Sequence, residues 1–133
     1  MNPHLFVYGS LVSAAGYAQG ARLRREALLL GAATIAGRLY RVTWYPALRP
    51  AESATDRVHG ELYRLADPMR SLAWLDAYEG IVPGGINAAD SDEYARAQCA
   101  VQTWDGTNAL AWSYLYQRTL PEASRVVEGI WRG

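Results

Sequence analysis

Short apolar or alternating stretches of the chain predict a series of strands, and one longer stretch predicts a helix. The strands are expected at residues 5–8, 34–43, 58–65, 94–104 and 109–117. The last two flank Asp105-Gly106, a turn pair that favours a hairpin. Within the predicted strand over 34–43, Gly37 marks a bend or a close backbone approach. Residues 44–50, with two prolines, are expected to form a stiff loop, and residues 122–132 a short terminal helix.

The helix is predicted over Pro68–Tyr78. Asp67 is a favourable N-cap, proline suits the first helical position, and Gly80 is a plausible left-handed stop. One face of this helix carries four residues at spacings of three, three and four: Met69, Leu72, Leu75 and Glu79. The three apolar residues are expected to face the core, so Glu79 points inward at the last turn.

This placement of Glu79 predicts an unusual carboxyl group. The C-terminal end of a helix disfavours negative charge, and partial burial disfavours it further, so both effects raise the pKa of Glu79 toward neutrality. Such a group suits proton transfer. The alternative is an exposed glutamate at a frayed helix end. Residues 84–92, rich in small and polar residues, are expected to form a mobile loop that is either a linker or a cover for a site.

A glycine turn after the first predicted strand is the second candidate site. Phe6-Val7-Tyr8-Gly9-Ser10-Leu11 runs from an apolar strand into this turn, whose free N–H groups suit an anion or a developing oxyanion. No nucleotide-binding glycine motif follows it. Ser10 lacks both the Gly-x-Ser-x-Gly context of a nucleophile and a histidine placed as its base. Ser10 is therefore expected to support the turn or to donate a hydrogen bond to a ligand.

Composition and charge narrow the function classes. The chain has 133 residues, which fits a single domain over 1–133, and 13 basic residues balance 13 acidic ones. This balance gives no support to a nucleic-acid or anionic-membrane partner. Cys99 is the single cysteine, expected to be a buried structural thiol, and no metal-ligand spacing occurs. The lack of a signal peptide or a long apolar run predicts a soluble, cytoplasmic protein.

Tyrosine is unusually common, with nine tyrosines and five tryptophans against a single phenylalanine. Five tyrosines lie at the ends of apolar segments, where they either pack in the core or meet a ligand: Tyr8, Tyr45, Tyr78, Tyr94 and Tyr116. Trp112, Tyr114 and Tyr116 share one face of a predicted strand. That face either lines a pocket or packs under a helix.

Seven segments, in order along most of the chain, resemble the γ-glutamylcyclotransferase-like superfamily. They are Val7-Tyr8-Gly9-Ser10-Leu11, Gly37-Arg38-Leu39-Tyr40, Tyr45-Pro46-Ala47-Leu48, Val58-His59-Gly60-Glu61-Leu62-Tyr63, Leu75-Asp76-Ala77-Tyr78-Glu79-Gly80, Tyr94-Ala95-Arg96 and Ala111-Trp112-Ser113-Tyr114-Leu115-Tyr116. The resemblance implies an α+β fold, a small mixed β-barrel with packed helices. It also implies a cavity for a γ-glutamyl group.

The resemblance further implies a reaction and its residues. The α-amine of a γ-glutamyl amide attacks its own γ-carbonyl, releasing 5-oxoproline and a free amine, with no metal or organic cofactor. Glu79 corresponds to the acid/base carboxylate. The substrate-binding residues implied are Tyr8, Gly9, Ser10, Leu11, Tyr45 and Tyr116.

Leu11 gives the turn its Tyr-Gly-Ser-Leu form, which resembles the γ-glutamylamine and broader bacterial branches of the superfamily. The leaving group therefore stays open among an amino acid, a lysine side-chain amine, another amine and an acyl chain. Two other function classes stay open as well. One is a non-catalytic module that binds a small metabolite, and the other is a different lyase or amidotransferase that uses the same cavity. The sequence makes no prediction of oligomeric state.

Overall fold

The computed structural model describes residues 1–9, 11–12, 16–81 and 93–133. Within these residues the chain forms a closed five-stranded barrel, a three-stranded sheet and two α-helices. The elements in chain order are β1 (His4–Val7), α1 (Ala18–Glu26), β2 (Ala27–Ala36), β3 (Arg38–Arg41), β4 (Pro46–Arg49), β5 (Arg57–Leu65), α2 (Pro68–Tyr78), β6 (Tyr94–Thr103), β7 (Asn108–Tyr116), a 3₁₀ helix (Glu122–Ser124) and β8 (Arg125–Val126).

The barrel has the strand order β1-β5-β2-β6-β7. Strand β1 runs antiparallel to β5 and parallel to β7, where Leu5 pairs with Trp112, and this parallel contact closes the barrel. Strands β6 and β7 form the predicted hairpin, in register from Tyr94 opposite Tyr116 to Gln102 opposite Asn108. The small mixed barrel with packed helices confirms the predicted α+β fold class.

Helix α2 confirms the prediction from its spacing and caps. The Asp67 side chain accepts a hydrogen bond from the backbone N–H of Arg70 at 3.3 Å, and Gly80 has φ of 80°. Leu72 and Leu75 are buried. Met69 is 73% exposed, so its predicted core position was wrong. Each three-residue step falls about 60° short of a full helical turn, which rotates Met69 away from the buried face.

Two other predictions from local sequence were wrong. Residues 46–49 of the expected stiff loop form strand β4, which among the described strands pairs with β3 alone, at the edge of the small sheet. A proline is tolerated at the start of an edge strand because its missing N–H has no partner to lose. The expected terminal helix is reduced to the 3₁₀ turn, and β8 follows it on β3. The pairing of β8 with β3 therefore takes the place of the expected helix.

The predicted strand over 34–43 is two strands divided at Gly37, and the first of them begins earlier, at Ala27. A Cβ at position 37 would lie 2.7 Å from Cδ1 of Leu48, which confirms the close approach expected there. The early part of β2 was missed because its leucines, Leu28 to Leu30, are exposed and do not alternate with polar residues.

The small sheet β4-β3-β8 is fixed to the barrel by side chains. Nη1 of Arg49 donates to the backbone carbonyl of Tyr116 at 2.9 Å, and the Tyr94 hydroxyl donates to the carbonyl of Pro46. The buried Asp56 carboxylate accepts hydrogen bonds from Arg38 on β3 at 2.7 Å and from Arg125 on β8 at 2.9 Å. These contacts hold the small sheet beside one end of the barrel.

Three further observations concern the class of protein. Cys99 is half-buried in β6 against the barrel core, and burial raises the pKa of its thiol. In the part of the chain that the structure describes, no helix has the length and apolar character needed to cross a membrane. The same residues contain no group of three or more His, Cys, Asp or Glu side chains placed to hold a metal ion.

Candidate active site

A cavity of about 270 Å³ opens where the end of β1, the end of α2 and the small sheet meet. Half of its described lining residues are aromatic, and the carboxyl groups among those residues belong to Glu79 and Glu93. Its described lining consists of Phe6, Val7, Tyr8, Gly9, Leu11, Trp44, Tyr45, Pro46, Tyr78, Glu79, Gly80, Glu93, Tyr94 and Tyr114. The glycine turn and the helix-end carboxylate, far apart in sequence, therefore share one site.

The glycine turn forms one wall of the cavity. The backbone N–H of Val12 donates to the carbonyl of Gly9 at 3.0 Å, which closes the turn after β1. A Cβ at position 9 would lie 2.5 Å from Cγ of Pro46, so only glycine lets this turn approach strand β4. Tyr8 and Leu11 are buried beside it. Ser10 lies outside the described residues, so its predicted role in the turn stays a prediction.

Glu79 lies just beyond α2, where its backbone N–H caps the helix by donating to the carbonyl of Leu75 at 2.9 Å. Its half-buried side chain lines the cavity. Burial raises the pKa of Glu79 to about 7, and the negative charges of Asp76 and Glu93 add to the effect. The predicted direction is confirmed. The two neighbouring carboxylates are a cause that the sequence did not indicate.

Asp76, whose charge acts on Glu79, is held by the side chains of two residues. Nε of Arg96 lies 2.9 Å from its Oδ1, and the Tyr114 hydroxyl donates to the same oxygen at 2.6 Å. The Arg96 guanidinium in turn stacks over the ring of Trp112, 4.5 Å from its centroid. Burial and the bond to Asp76 raise the pKa of Tyr114, so its hydroxyl stays a donor at neutral pH.

Glu93 is held at the other side of the cavity by Tyr45, whose hydroxyl donates to Oε2 of Glu93 at 2.6 Å. This bond, followed by burial, raises the pKa of Tyr45 to about 12. Tyr45 is thus in the predicted cavity, although its contact with substrate is untested. Sequence reasoning missed Glu93. Its position directly before the matched Tyr94-Ala95-Arg96 segment was the available signal, but it follows a small polar stretch typical of a loop.

The described lining of the cavity does not include Tyr116, so its contact with substrate stays a prediction. Tyr116 is 5% exposed and packs edge-on against Tyr94, with ring centroids 5.3 Å apart. Tyr94 lines the cavity, whereas Tyr116 is not among its described lining residues. From the predicted aromatic face of β7, it is Tyr114 that reaches the cavity. Tyr116, at the end of β7 opposite Tyr94, packs behind the aromatic wall instead.

The arrangement suits proton transfer near neutral pH. A carboxyl group with a pKa of about 7 exchanges its proton readily in both directions at that pH. The tyrosines around it stay protonated, since burial raises the pKa of both Tyr8 and Tyr94. The expected mobile loop over 84–92 lies outside the described residues. The site therefore combines one proton-exchanging group with an aromatic enclosure.

Comparison with known families gives one match that covers nearly the whole chain. The sequence model of the family described as "Gamma-glutamyl cyclotransferase, AIG2-like" matches residues 5–133. Among curated proteins compared by sequence, none matches the chain.

Several solved structures share the fold. YkqA from Bacillus subtilis is 20% identical with a TM-score of 0.70; the match covers 98% of this chain and 40% of YkqA. The protein PH0828 from Pyrococcus horikoshii is 18% identical with a TM-score of 0.63, over 96% of this chain and 87% of that one. An AIG2-like protein from Mus musculus is 23% identical with a TM-score of 0.65, over 90% and 80% of the two chains. This chain thus spans less than half of YkqA and most of the other two.

Proposed function

Because the chain belongs to the AIG2-like γ-glutamyl cyclotransferase family, we propose that it converts a γ-glutamyl amide to 5-oxoproline and a free amine. Membership supports cyclotransferase-type chemistry in general. The observation that supports this reaction most directly is Glu79, a cavity carboxyl group whose pKa is raised to about 7. Proton exchange at neutral pH is what the cyclisation requires of the protein.

In the proposed reaction, Glu79 takes one proton from the substrate α-ammonium. The neutral amine then attacks the γ-carbonyl carbon and forms the C–N bond of the five-membered ring. As the amide C–N bond breaks, Glu79 returns its proton to the leaving nitrogen. The ring nitrogen loses its second proton to water, and the released amine takes one up from water. Protons and bonds balance without a cofactor.

The glycine turn is proposed to hold the substrate in the reactive conformation. Tyr8, Gly9 and Leu11 line the cavity, and Ser10 is included through the matching motif. Backbone N–H groups of such a turn suit either the substrate carboxylate or the oxyanion formed during attack. Tyr45 is proposed to contact substrate from the opposite wall. Ring closure is intramolecular, so positioning of the amine and carbonyl is a large part of the catalysis.

The test is incubation of the protein with a panel of γ-glutamyl amides, with detection of 5-oxoproline. The panel varies the leaving amine, which the family match does not identify. Glu79→Gln is expected to fold and bind but to turn over about 100-fold to 10,000-fold more slowly. Glu52→Gln is the matched control, because this exposed carboxylate lies in an ion pair with Arg38 outside the cavity lining.

Each outcome has a definite meaning. Activity of Glu79→Gln within a few-fold of wild type would remove Glu79 from the mechanism. Binding of γ-glutamyl amides without release of 5-oxoproline from any of them would contradict the reaction and favour the non-catalytic binding module.

A further inference from the structure

The cavity contains a second carboxylate that the proposed reaction does not use. Glu93 lines the same cavity as Glu79, and its negative charge contributes to the raised pKa of Glu79. A second acid near a group that must ionise during the reaction hinders that ionisation unless a positive charge enters with the substrate. Glu93 therefore calls for an explanation in terms of the ligand.

Glu93 is held in a fixed position and is available to a ligand. The Tyr45 hydroxyl donates to Oε2 at 2.6 Å. An ionised carboxylate has about four acceptor positions, and this is its one side-chain bond to the described residues, so room remains for N–H donors from the cavity. The Tyr45 ring is itself fixed by contacts with Trp44 and Tyr94, with centroids 5.2 and 6.4 Å away. The carboxylate is thus oriented before any ligand arrives.

The described lining of the cavity includes no lysine, arginine or histidine. The sequence adds none in the segments outside the described residues, since 10, 13–15 and 82–92 contain no basic side chain. Arg96 is occupied by Asp76 at 2.9 Å, and the charge of Arg118 acts on the Tyr45 hydroxyl from outside the lining. Among the described lining residues the charged side chains are the acidic Glu79 and Glu93, which favours a cationic ligand group.

Resting on the proposed function, we infer that Glu93 binds the α-amino group of the substrate and selects ligands that carry an α-ammonium. An ammonium has three N–H donors, enough to reach both Glu79 and Glu93. After Glu79 removes one proton, the neutral amine still has two N–H bonds. Donation of one of them to Glu93 turns the nitrogen lone pair toward the γ-carbonyl. Glu93 is a binding and orienting residue, while Glu79 moves the proton.

The test compares two ligands that differ only in the α-amino group: γ-glutamyl methylamide and glutaric acid monomethylamide. Neither has a charge on the methylamide side, so any selectivity reports the α-ammonium alone. Dissociation constants are measured by calorimetry in the Glu79→Gln protein, in which slow turnover permits binding measurements. The quantity of interest is the preference, defined as the ratio of the dissociation constant of the des-amino ligand to that of the amino ligand.

Adding Glu93→Gln is expected to reduce this preference about tenfold or more, as for loss of a charge-assisted hydrogen bond. Affinity for the des-amino ligand should stay nearly unchanged. Adding Tyr45→Phe, which keeps the Glu93 charge but removes the bond that orients it, should reduce the preference by a smaller factor. Glu52→Gln in the same background is the control and should leave the preference unchanged.

An unchanged preference in the Glu93→Gln protein would overturn this role, and so would an equal loss of affinity for both ligands. These failures are distinct from failure of the proposed function. If wild type releases no 5-oxoproline and neither ligand binds, the cyclotransferase proposal fails and the role of Glu93 fails with it. If wild type turns over γ-glutamyl methylamide normally and the preference is unchanged, only the role of Glu93 is wrong.

Discussion

Replacement of Glu79 by glutamine is expected to stabilise the folded protein at alkaline pH and to leave its stability nearly unchanged in acid. The pKa of Glu79 is about 7 in the folded protein, against an ordinary value of 4.5. Folding therefore favours the protonated form, and ionisation above pH 7 costs the folded state about 3 kcal/mol at most. The cost is absent below pH 4.5, grows between pH 4.5 and 7, and is constant above.

Glutamine is uncharged at every pH, so the variant avoids this cost. The assay is urea unfolding followed by tryptophan fluorescence at about pH 5 and about pH 8.5. The variant should exceed wild type in unfolding free energy by up to about 3 kcal/mol at the higher pH and by much less at the lower. Glu52→Gln, at an exposed carboxylate, should show no such pH-dependent difference. An equal difference at both pH values for Glu79→Gln would mean an ordinary pKa and would refute the physical basis of its acid/base role.

Three further changes test the walls of the cavity and the side chains behind them. Gly9→Val places side-chain atoms where a Cβ alone lies 2.5 Å from Cγ of Pro46, so it should abolish ligand binding in calorimetry; retained affinity would show that the turn does not contact ligand. Tyr116→Phe should leave turnover unchanged, because its ring packs behind the cavity wall. Slower turnover of Tyr116→Phe would contradict this packing role. Tyr114→Phe removes the 2.6 Å bond to Asp76 and should lower the unfolding free energy by about 1 kcal/mol; an unfolding free energy equal to that of wild type would contradict a stabilising role for this bond.

The parts of the fold that local sequence determines were predicted well. Helix α2 has its cap at Asp67 and its stop at Gly80, both set by residues adjacent in sequence. The β6–β7 hairpin likewise follows from a turn pair between two apolar strands. The placement of Glu79 came from helical spacing alone, because four residues after Leu75 returns nearly to the same face of a helix.

What the sequence could not supply depends on contacts between distant segments. Strand β4 exists because β3 offers it a partner, and two prolines gave the opposite indication. Glu93 becomes a site residue only because Tyr45, 48 positions away, fixes it in the cavity. The distinction between Tyr114 and Tyr116 rests on the packing of Tyr116 against Tyr94, which the alternating spacing of β7 does not encode.

The joint between the small sheet and the barrel has a mechanical consequence for the cavity. Tyr45 and Pro46, which lie just before and at the first residue of β4, form one wall of the cavity, and residues of the barrel form the opposite wall. Two hydrogen bonds connect these walls, from Arg49 to the carbonyl of Tyr116 and from Tyr94 to the carbonyl of Pro46. A ligand that contacts both walls adds a further connection between the small sheet and the barrel. The free energy of ligand binding is then coupled to the packing of the small sheet against the barrel. A substitution that weakens this packing therefore alters affinity even where it does not contact the ligand.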